Sequence, residues 1–436
     1  MSKRLILILV LAFVVGFAFS AYAEVQNVKV SGDMTQLGFT RTGFTLTSPA
    51  DTGKVEAQGL AMIVNLKVNA DLTDAVTATV MLRNERIWGL TRNIGTSGAG
   101  ENSNLDTYLS AAWVTLKDFI QPGWTFKLGQ QAVKLGSGLI WGDPNTNQSG
   151  SGPFNYELAD MDPRIAFAGA IASMDYSPLV ITTGALKITD GSSLLTNKDD
   201  VNTYLLQAGY DLKDILNMKS MAEAYYVLED ANKAIASPTT GLGEVSNYGI
   251  RTVLSPSDTT NLSGELAYQA RKGFRSDKKT ASAAALLLAA NMSFPDVTMK
   301  PVLGVDYSRI GDNWETMYES LSPADIANAL FPNTNCQTIG ATVGVKPMDD
   351  LGVKLRYANL TLVQKITGTQ TLNSWGSYIF QEKADLGNEV DLNLTYDYTE
   401  DVQFGLKAGY FKPGKALTED YRKTATQVIG SMKVTF

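Results

Sequence analysis

The sequence alternates between apolar and polar residues over many short stretches. Near the C-terminus, Val402, Phe404, Leu406, Ala408 and Tyr410 fall on one side, and the residues between them are polar or glycine. Residues two apart point to the same face of a β-strand. The pattern therefore predicts strands with one apolar and one polar face, which suits a wall between lipid and water.

Most of the predicted strands have about 9 to 15 residues, a length that suits a tilted strand crossing the hydrocarbon layer of a membrane. The 18 predicted segments are 27–44, 57–71, 74–86, 105–117, 123–131, 164–177, 178–189, 200–212, 216–229, 244–255, 258–272, 280–293, 297–310, 335–347, 350–363, 385–399, 401–412 and 424–436. The count falls to 16 if two marginal segments are loops. An even number places both termini at the same end of the strands.

The connections between these segments alternate between short turns and long loops. Pro, Asp and Ser recur in the short ones, such as 255–258 and 347–350, because these residues preset or cap tight turns. The long connections are 87–104, 132–163, 311–334 and 364–384. A soluble two-sheet protein has no reason to keep this alternation, whereas outer-membrane barrels have short periplasmic turns and long outer loops. The sequence thus predicts an all-β fold, a transmembrane antiparallel up-and-down β-barrel with both termini periplasmic.

The N-terminal segment has the features of a secretory signal. Lys3 and Arg4 precede an apolar stretch over 5–19, and Ala21-Tyr22-Ala23 follows as a small-x-small cleavage site. We therefore expect residues 1–23 to be a cleaved signal peptide and residues 24–436 to form the barrel. The apolar stretch is short for a spanning helix, so an uncleaved anchor is the less favoured alternative.

The C-terminal segment is a further amphipathic strand that finishes on an aromatic residue. Val428, Gly430, Met432, Val434 and Phe436 share one face of this strand, and the opposite face is mostly polar. This ending resembles the closing strand of Gram-negative outer-membrane barrels. The resemblance implies that Phe436 belongs to the signal read by the barrel-insertion machinery and that the protein resides in the Gram-negative outer membrane.

Composition excludes several classes of function. The chain has no His, which removes Ser-His and Cys-His hydrolases, His-ligated metals and haem. Its only cysteine, Cys336, cannot form an internal disulfide, although the export route is oxidising. The formal net charge of −7 argues against nucleic-acid binding. We therefore expect no enzyme activity, no metal and no cofactor.

A barrel of this size encloses more space than side chains can fill, so its default function is a water-filled channel. The period-two pattern assigns eight acidic residues to the inner face: Glu85, Asp211, Glu223, Glu265, Asp306, Glu389, Asp391 and Asp397. It assigns nine basic residues to the same face: Lys67, Arg83, Lys127, Lys187, Arg251, Lys354, Arg356, Lys407 and Lys433. Nine basic residues against eight acidic residues predict no strong selectivity for anions or for cations. Lys354 and Arg356 share one face of one strand and are the best candidates for an anion-attracting patch, although any single charge can simply be solvated.

The longest connection, 132–163, is the candidate constriction loop. It is rich in glycine, which permits tight backbone bends, and it carries the carboxylates Asp143, Glu157, Asp160 and Asp162. If this loop folds into the barrel, four carboxylates opposite lumen Lys and Arg create a transverse field and a bias toward cations. The alternative is an outer loop over the mouth, whose acids bind divalent cations between lipopolysaccharides.

Two motifs in the chain have a recognisable form. The first joins Leu386-Gly387-Asn388-Glu389-Val390-Asp391-Leu392 to Ala408-Gly409-Tyr410-Phe411-Lys412-Pro413-Gly414. The second is Leu128-Gly129-Gln130-Gln131 followed by Lys134-Leu135-Gly136-Ser137-Gly138. They resemble the closing hairpin and a mid-chain motif of alginate-export-type porins, which implies an 18-stranded barrel and a channel.

The chain also departs from that family. Gln130 stands where the family has Arg, and Leu135 stands where it has Tyr. The predicted lumen lacks the dense Arg lining that a polyuronate path would need. The resemblance therefore carries over the barrel and the channel, but not alginate as the solute.

The sequence predicts an outer-membrane porin for passive diffusion of small hydrophilic solutes or ions. One alternative is a solute-specific or partner-bound export or conduit channel, and a second is a structural or adhesive barrel without a channel. Besides solutes, the expected partners are outer-membrane lipid, lipopolysaccharide and the barrel-insertion machinery, with no nucleic acid. A homo-trimer stays open, because its contacts would use the same apolar outer faces as lipid.

Overall fold

The computed structural model describes most of the chain after the predicted signal peptide, which itself lies outside the described residues. The described residues are 27–46, 55–88, 107–142, 161, 166–189, 201–231, 243–274, 279–321, 324–373 and 376–436. Two short helices occur among them, α1 (Lys213–Leu216) and α2 (Asp325–Leu330). Neither is long and apolar enough to cross a membrane.

Twenty strands account for most of the described chain. They are β1 (Asn27–Thr42), β2 (Val55–Thr73), β3 (Val76–Ile87), β4 (Tyr108–Lys117), β5 (Trp124–Ala132), β6 (Ala166–Tyr176), β7 (Leu179–Thr189), β8 (Val201–Asp211), β9 (Lys219–Ala231), β10 (Glu244–Ser257), β11 (Thr260–Phe274), β12 (Lys279–Ser293), β13 (Val302–Ile310), β14 (Cys336–Met348), β15 (Leu351–Leu362), β16 (Gly368–Asn373), β17 (Gly376–Phe380), β18 (Asp385–Asp397), β19 (Val402–Pro413) and β20 (Ala425–Thr435). Eighteen of them form one antiparallel sheet, while β16 and β17 pair only with each other.

The 18-stranded sheet closes on itself. Each strand pairs with its neighbours in sequence, and β1 also pairs with β20, from Asp33 opposite Thr435 to Thr42 opposite Thr426. This seam leaves no unpaired edge strand in the sheet. The predicted antiparallel barrel of 18 strands is therefore confirmed, and the alternative count of 16 is wrong.

The connections follow the predicted alternation with one exception. β1 begins and β20 ends at the end of the barrel where the short turns lie. At the opposite end, the connection between β11 and β12 spans only residues 275–278, whereas residues 294–301 join β12 to β13 among the short turns. The sequence did not predict the β16–β17 hairpin, because its strands are short and lie inside a long connection.

Apolar side chains cover the outer face of the barrel. Leu266, Leu288, Val305 and Ile339 point outward and are each between 47% and 60% exposed. Such exposure is unfavourable in water and suits contact with lipid chains. The outer face therefore follows the predicted pattern.

The inner face is not uniformly polar, because two groups of apolar side chains are buried inside the barrel near its long-loop end. The first inner cluster contains Leu135, Leu139, Ile140, Trp141, Phe167, Ile171, Leu186, Leu205, Val227, Trp314, Met317 and Tyr318. The second inner cluster contains Phe44, Leu46, Ile326, Ala327, Leu330, Phe331, Leu360, Tyr378, Phe380, Phe411, Ala416 and Leu417. Both clusters combine inward residues of the wall with residues of the connections, so connecting segments occupy part of the lumen.

Candidate channel lumen

The segment after β5, residues 133–142, enters the barrel and is held by a wall carboxylate. Glu265 on β11 accepts a hydrogen bond of 2.9 Å from the backbone N–H of Ser137 and another from the Tyr225 hydroxyl. Gly136 has a φ of 57°, and a Cβ there would collide with Glu265 and Tyr225. Glycine is therefore required at this position for the segment to approach the wall.

A second connection joins this segment inside the lumen. The Gly142 N–H donates to the Tyr318 carbonyl at 2.6 Å, and the Tyr318 N–H donates to the Ile140 carbonyl at 3.0 Å. The fully buried Trp141 ring lies 4.6 Å from the rings of both Phe167 and Tyr318, measured between centroids. The two connections are thus locked to each other as well as to the wall.

Tyr318 adds a polar contact to this packing. Its side chain is buried and hydrogen-bonded to the Glu229 carboxyl, and both burial and this neighbour raise the pKa of Tyr318 above its usual value. The phenol is therefore a neutral hydrogen-bond donor at neutral pH.

After β5, the structure describes residues 133–142 of the predicted constriction loop and the single residue Met161, which packs against Phe39, Ala61 and Ile63 of the wall. Residues 133–142 lie inside the barrel, where they narrow the lumen on the side of β6 to β13. The four carboxylates assigned to the constriction, Asp143, Glu157, Asp160 and Asp162, lie outside the described residues.

The opposite side of the lumen is narrowed by helix α2. Glu389 on β18 accepts hydrogen bonds from the backbone N–H groups of Ile326 and Ala327, at 2.6 and 2.7 Å. These are helix N-terminal donors that have no partner within the helix. A carboxylate at this end is also favoured by the helix dipole. Glu389 thus fixes α2 to the wall, in the same way that Glu265 fixes Ser137.

The connection between β13 and β14 takes part in both inner clusters. Its residues Trp314, Met317 and Tyr318 belong to the first, and Ile326 and Phe331 belong to the second. This connection therefore contacts two different parts of the wall and contributes to the narrowing on both sides.

The three inward arginines that the sequence predicted are paired with carboxylates, and the further inward Arg271 lies 2.9 Å from Glu315. Arg41 also points inward and donates a hydrogen bond to Gln427. Arg83 contacts Glu85, and Arg251 lies 2.7 Å from Glu223 and 3.9 Å from Glu265. Each of these pairs joins side chains that are largely buried. Their charges therefore contribute little net field to the lumen.

Arg356 makes the third pair, across a strand. Its guanidinium donates two hydrogen bonds to Asp306, one of them 2.8 Å from Nη2 to Oδ2. Gly340 on the intervening strand β14 permits this contact, because a Cβ there would collide with both side chains. Arg356 is consequently neutralised, although the sequence pointed to it as part of an anion-attracting patch.

Four inward lysines lie in a different environment. Lys127 and Lys354 are exposed and have no carboxylate within 4 Å among the described residues, and Lys407 lies 4.0 Å from Asp325. The Lys67 ammonium lies 5.9 Å from the centroid of the Trp113 ring. Lys67, Lys127 and Lys354 lie in the halves of their strands next to the short turns, whereas Lys407 lies beside helix α2. The exposed inward residues next to the short turns also include Asp211 and Asp397, so lysine carries only part of the accessible charge of the described lumen.

Lys187 does not face the lumen. Its neighbour Leu186 points inward into the first inner cluster, so Lys187 lies on the outer face near the end of β7. The assignment from the sequence assumed a polar inner face and an apolar outer face. It is wrong here because the inward segment makes this part of the inner face apolar.

The motif residues have structural roles that the sequence did not reveal. Gln131 is buried, and its amide donates to the Lys127 carbonyl at 3.0 Å. Leu135 is buried in the first inner cluster. Gln130, where the resembled family has Arg, pairs with outward residues of β4 and β6, so this difference changes no lumen charge. Glu265 and Glu389 were predicted only as lumen charges, and their role as anchors depends on contacts between distant segments.

The described residues contain no group of carboxylates and cysteine arranged to hold a metal ion. The buried glutamates and arginines described above are instead hydrogen-bonded or ion-paired to one another or to the backbone. This arrangement allows hydrated solutes to pass along a narrowed path that carries exposed lysines.

Comparison with known proteins gives one family and a set of related folds. The family model described as alginate export matches residues 196–431. No curated protein matches the sequence. Because the matched residues are more than half of the chain, the family match applies to the barrel as a whole.

Several solved structures share the fold. Pseudomonas aeruginosa OccK9 (OpdG) aligns with a TM-score of 0.60 at 13% identity, covering 94% of this chain and 99% of that chain. Pseudomonas aeruginosa OpdK, in a structure with vanillate, has a TM-score of 0.58 at 10% identity, and the alignment covers 94% of this chain and 100% of that chain. Acinetobacter baumannii OccAB2 has a TM-score of 0.58 at 12% identity, and the alignment covers 95% of this chain and 99% of that chain. At these identities the similarity establishes the fold alone.

Proposed function

The chain belongs to the alginate export family and is a porin-like barrel of the Gram-negative outer membrane, and from that premise we propose that it conducts small hydrophilic solutes with a preference for anions. The observation that supports a preference for anions is that several acidic side chains of the lumen have close partners, whereas some of its lysines do not. Glu85, Glu223, Glu265, Asp306 and Glu389 all bond to arginine or to backbone N–H groups. Lys127 and Lys354, by contrast, have no carboxylate within 4 Å among the described residues.

A charge in a channel acts on passing ions through the field that its neighbours leave unbalanced. Ion pairs such as Arg356 with Asp306 nearly cancel beyond a few ångströms, whereas Lys127 and Lys354 act as single positive charges. A channel wall that carries charge of one sign raises the local concentration of ions of the opposite charge. This effect is largest where the channel is narrow. This supports selection of anions over cations.

Alginate itself is not part of this proposal. A polyuronate would need a dense row of cations, and the inward arginines Arg83, Arg251, Arg271 and Arg356 are engaged by carboxylates. Small carboxylates are better probes, and vanillate, which was bound to OpdK, is one of them. We propose no catalytic role for the barrel.

Replacing Lys127, Lys354 and Lys407 together with Gln should reduce the preference for anions. We expect the anion-to-cation permeability ratio of the refolded channel to fall roughly threefold, because the field of three positive charges is lost. The measurement is the reversal potential of single channels in a planar bilayer under a salt gradient.

The control is Lys412→Gln, which removes one exposed lysine from the outer face of β19. It should leave the reversal potential unchanged. A wild-type reversal potential of the cation-selective sign would contradict the proposal. It would instead favour the carboxylates Asp143, Glu157, Asp160 and Asp162 as the dominant charges. A folded barrel without conductance steps would overturn the channel function itself.

Orientation and assembly form part of the same proposal. We propose that residues 1–23 are cleaved and that the short-turn end, where both termini of the barrel lie, faces the periplasm. We also propose that Phe436 is recognised by the barrel-insertion machinery. Its backbone pairs with Gly32 at 2.8 and 3.0 Å, while its ring is 59% exposed and available to a partner.

Phe436→Ala should therefore impair assembly more than stability. The ring is mostly exposed, so we expect the free energy of unfolding to change by less than about 1 kcal/mol. Insertion by the purified machinery should slow markedly, while spontaneous refolding in detergent stays near the wild-type rate. Phe436→Tyr keeps the aromatic ring and is the control. Equal slowing of both reactions would show that Phe436 acts through folding alone.

A further inference from the structure

The outer face changes in character along the strands from β13 to β19. On β13 the outward residues are Val305, Tyr307 and then Arg309 toward the long-loop end, and on β19 they are Ala408, Tyr410 and Lys412. The intervening strands follow the same order, from apolar to aromatic or apolar to polar. We call the polar outward residues near the long-loop end of these strands the polar belt; it consists of Arg309, Gln337, Asn359, Thr361, Asn388 and Lys412.

The two cations of the polar belt have no acidic partner. Arg309 and Lys412 are both exposed, and neither has a carboxylate within 4 Å among the described residues. The corresponding outer positions on β9 to β11 differ, because Lys272 there lies 3.2 Å from Glu244 and Asp230 is a further acid beside it. The unbalanced positive charge is thus a property of one sector of the outer face.

The amides between the two cations are held in place by hydrogen bonds. Asn388 accepts from the Tyr357 hydroxyl at 2.6 Å and from the Asn359 amide at 2.9 Å, and the Tyr307 hydroxyl donates to Gln337 at 3.2 Å. The aromatic row therefore supports the polar belt and fixes the direction of its donors and acceptors. A preorganised row of donors costs little entropy when it binds a ligand.

The position of the polar belt selects the kind of ligand. Tyrosines on the outer face of a barrel lie at the boundary between hydrocarbon and headgroups, so the next row lies at the level of the headgroups. Cations on this row, above an apolar wall, are suited to an anionic headgroup whose acyl chains cover that wall. In the outer leaflet of a Gram-negative outer membrane, the headgroup that carries phosphate is that of lipopolysaccharide.

We infer that the polar belt is a docking surface for a lipopolysaccharide molecule, with Arg309 and Lys412 contacting the phosphates of its lipid A. The amides of the belt bind the sugar hydroxyls between them, and the apolar residues below, such as Val305 and Leu355, contact the acyl chains. This inference rests on the proposed orientation, in which the long loops face outward, but not on the conduction of solutes.

The test compares lipid binding by the full-length barrel and by the variant R309Q/K412Q, both refolded in detergent. Native mass spectrometry would measure the fraction of barrel bound to bisphosphorylated lipid A and, separately, to the dephosphorylated lipid. Wild-type barrel should prefer the phosphorylated lipid, and the double variant should bind it about tenfold more weakly. Lys213→Gln, which removes an exposed lysine from helix α1 at the opposite end of the barrel, should bind as the wild type does.

Three outcomes would overturn the inference. One is a double variant that binds phosphorylated lipid A as tightly as the wild type. A second is a wild-type barrel that does not distinguish the two lipids. Displacement of lipid A by an equal concentration of inorganic phosphate would also overturn it, since it would assign the belt to free anions. Conductance of the same preparations reports separately on the channel, because Arg309 and Lys412 lie outside the lumen.

Discussion

Replacing Glu265 with Ala should release the inward segment 133–142 and increase the single-channel conductance, with frequent steps between levels. The carboxylate of Glu265 accepts hydrogen bonds from the Ser137 N–H and the Tyr225 hydroxyl and lies near Arg251. Its loss leaves buried donors without an acceptor, at a cost of about 1–3 kcal/mol for each. Single-channel recording in a planar bilayer would measure both the mean conductance and the steps.

Glu265→Gln is the matched control for this variant. It keeps the size of the side chain and one carbonyl acceptor, so we expect a smaller effect on conductance than that of Ala. The folded state of both variants can be verified by heat-modifiable mobility in gel electrophoresis. A folded Glu265→Ala barrel with the conductance and noise of the wild type would show that the apolar contacts of Trp141 suffice to hold the segment.

The second large effect is expected for Glu389→Ala, which removes the anchor of helix α2. The N–H groups of Ile326 and Ala327 lose their acceptor, and an isolated helix of 6 residues is too short to persist without tertiary contacts. Hydrogen exchange followed by mass spectrometry should show much faster exchange over residues 324–331.

Glu389→Gln should give an intermediate exchange rate, since it keeps one acceptor oxygen. Glu419, exposed in the connection after β19, provides a control in which an acid is removed without loss of a helix contact. If Glu389→Ala left exchange over 324–331 at the wild-type rate, the helix would be held by the second inner cluster alone.

The strands of this barrel could be predicted because each carries its own signal. β19 alternates apolar and polar residues along its whole length, and the observed strand, Val402–Pro413, differs from the predicted 401–412 by one residue at each end. The alternation arises from contact with lipid on one side, which is the same for every strand. The fold could therefore be predicted without knowing which strands pair with each other.

The lumen could not be predicted in the same way, because its chemistry depends on contacts between distant residues. Arg356 and Asp306 both point inward by the period-two pattern, yet their pairing requires β14 to lie between them with Gly340 at the crossing. The assignment of Lys187 to the lumen implied that Leu186 lies on the outer face. In the structure Leu186 points inward, because the segment 133–142 provides an apolar environment for it. The predicted roles of Asp143 and Glu157 stay predictions, since these residues lie outside the described chain.

The connection between β13 and β14 has a mechanical consequence. It is held at two places, because Tyr318 belongs to the first inner cluster and Ile326 belongs to the second. Loss of one of these contacts should leave the connection attached at the other, so we expect the passage to widen on one side without being cleared. Two independent ways to widen the channel follow, one at each inner cluster.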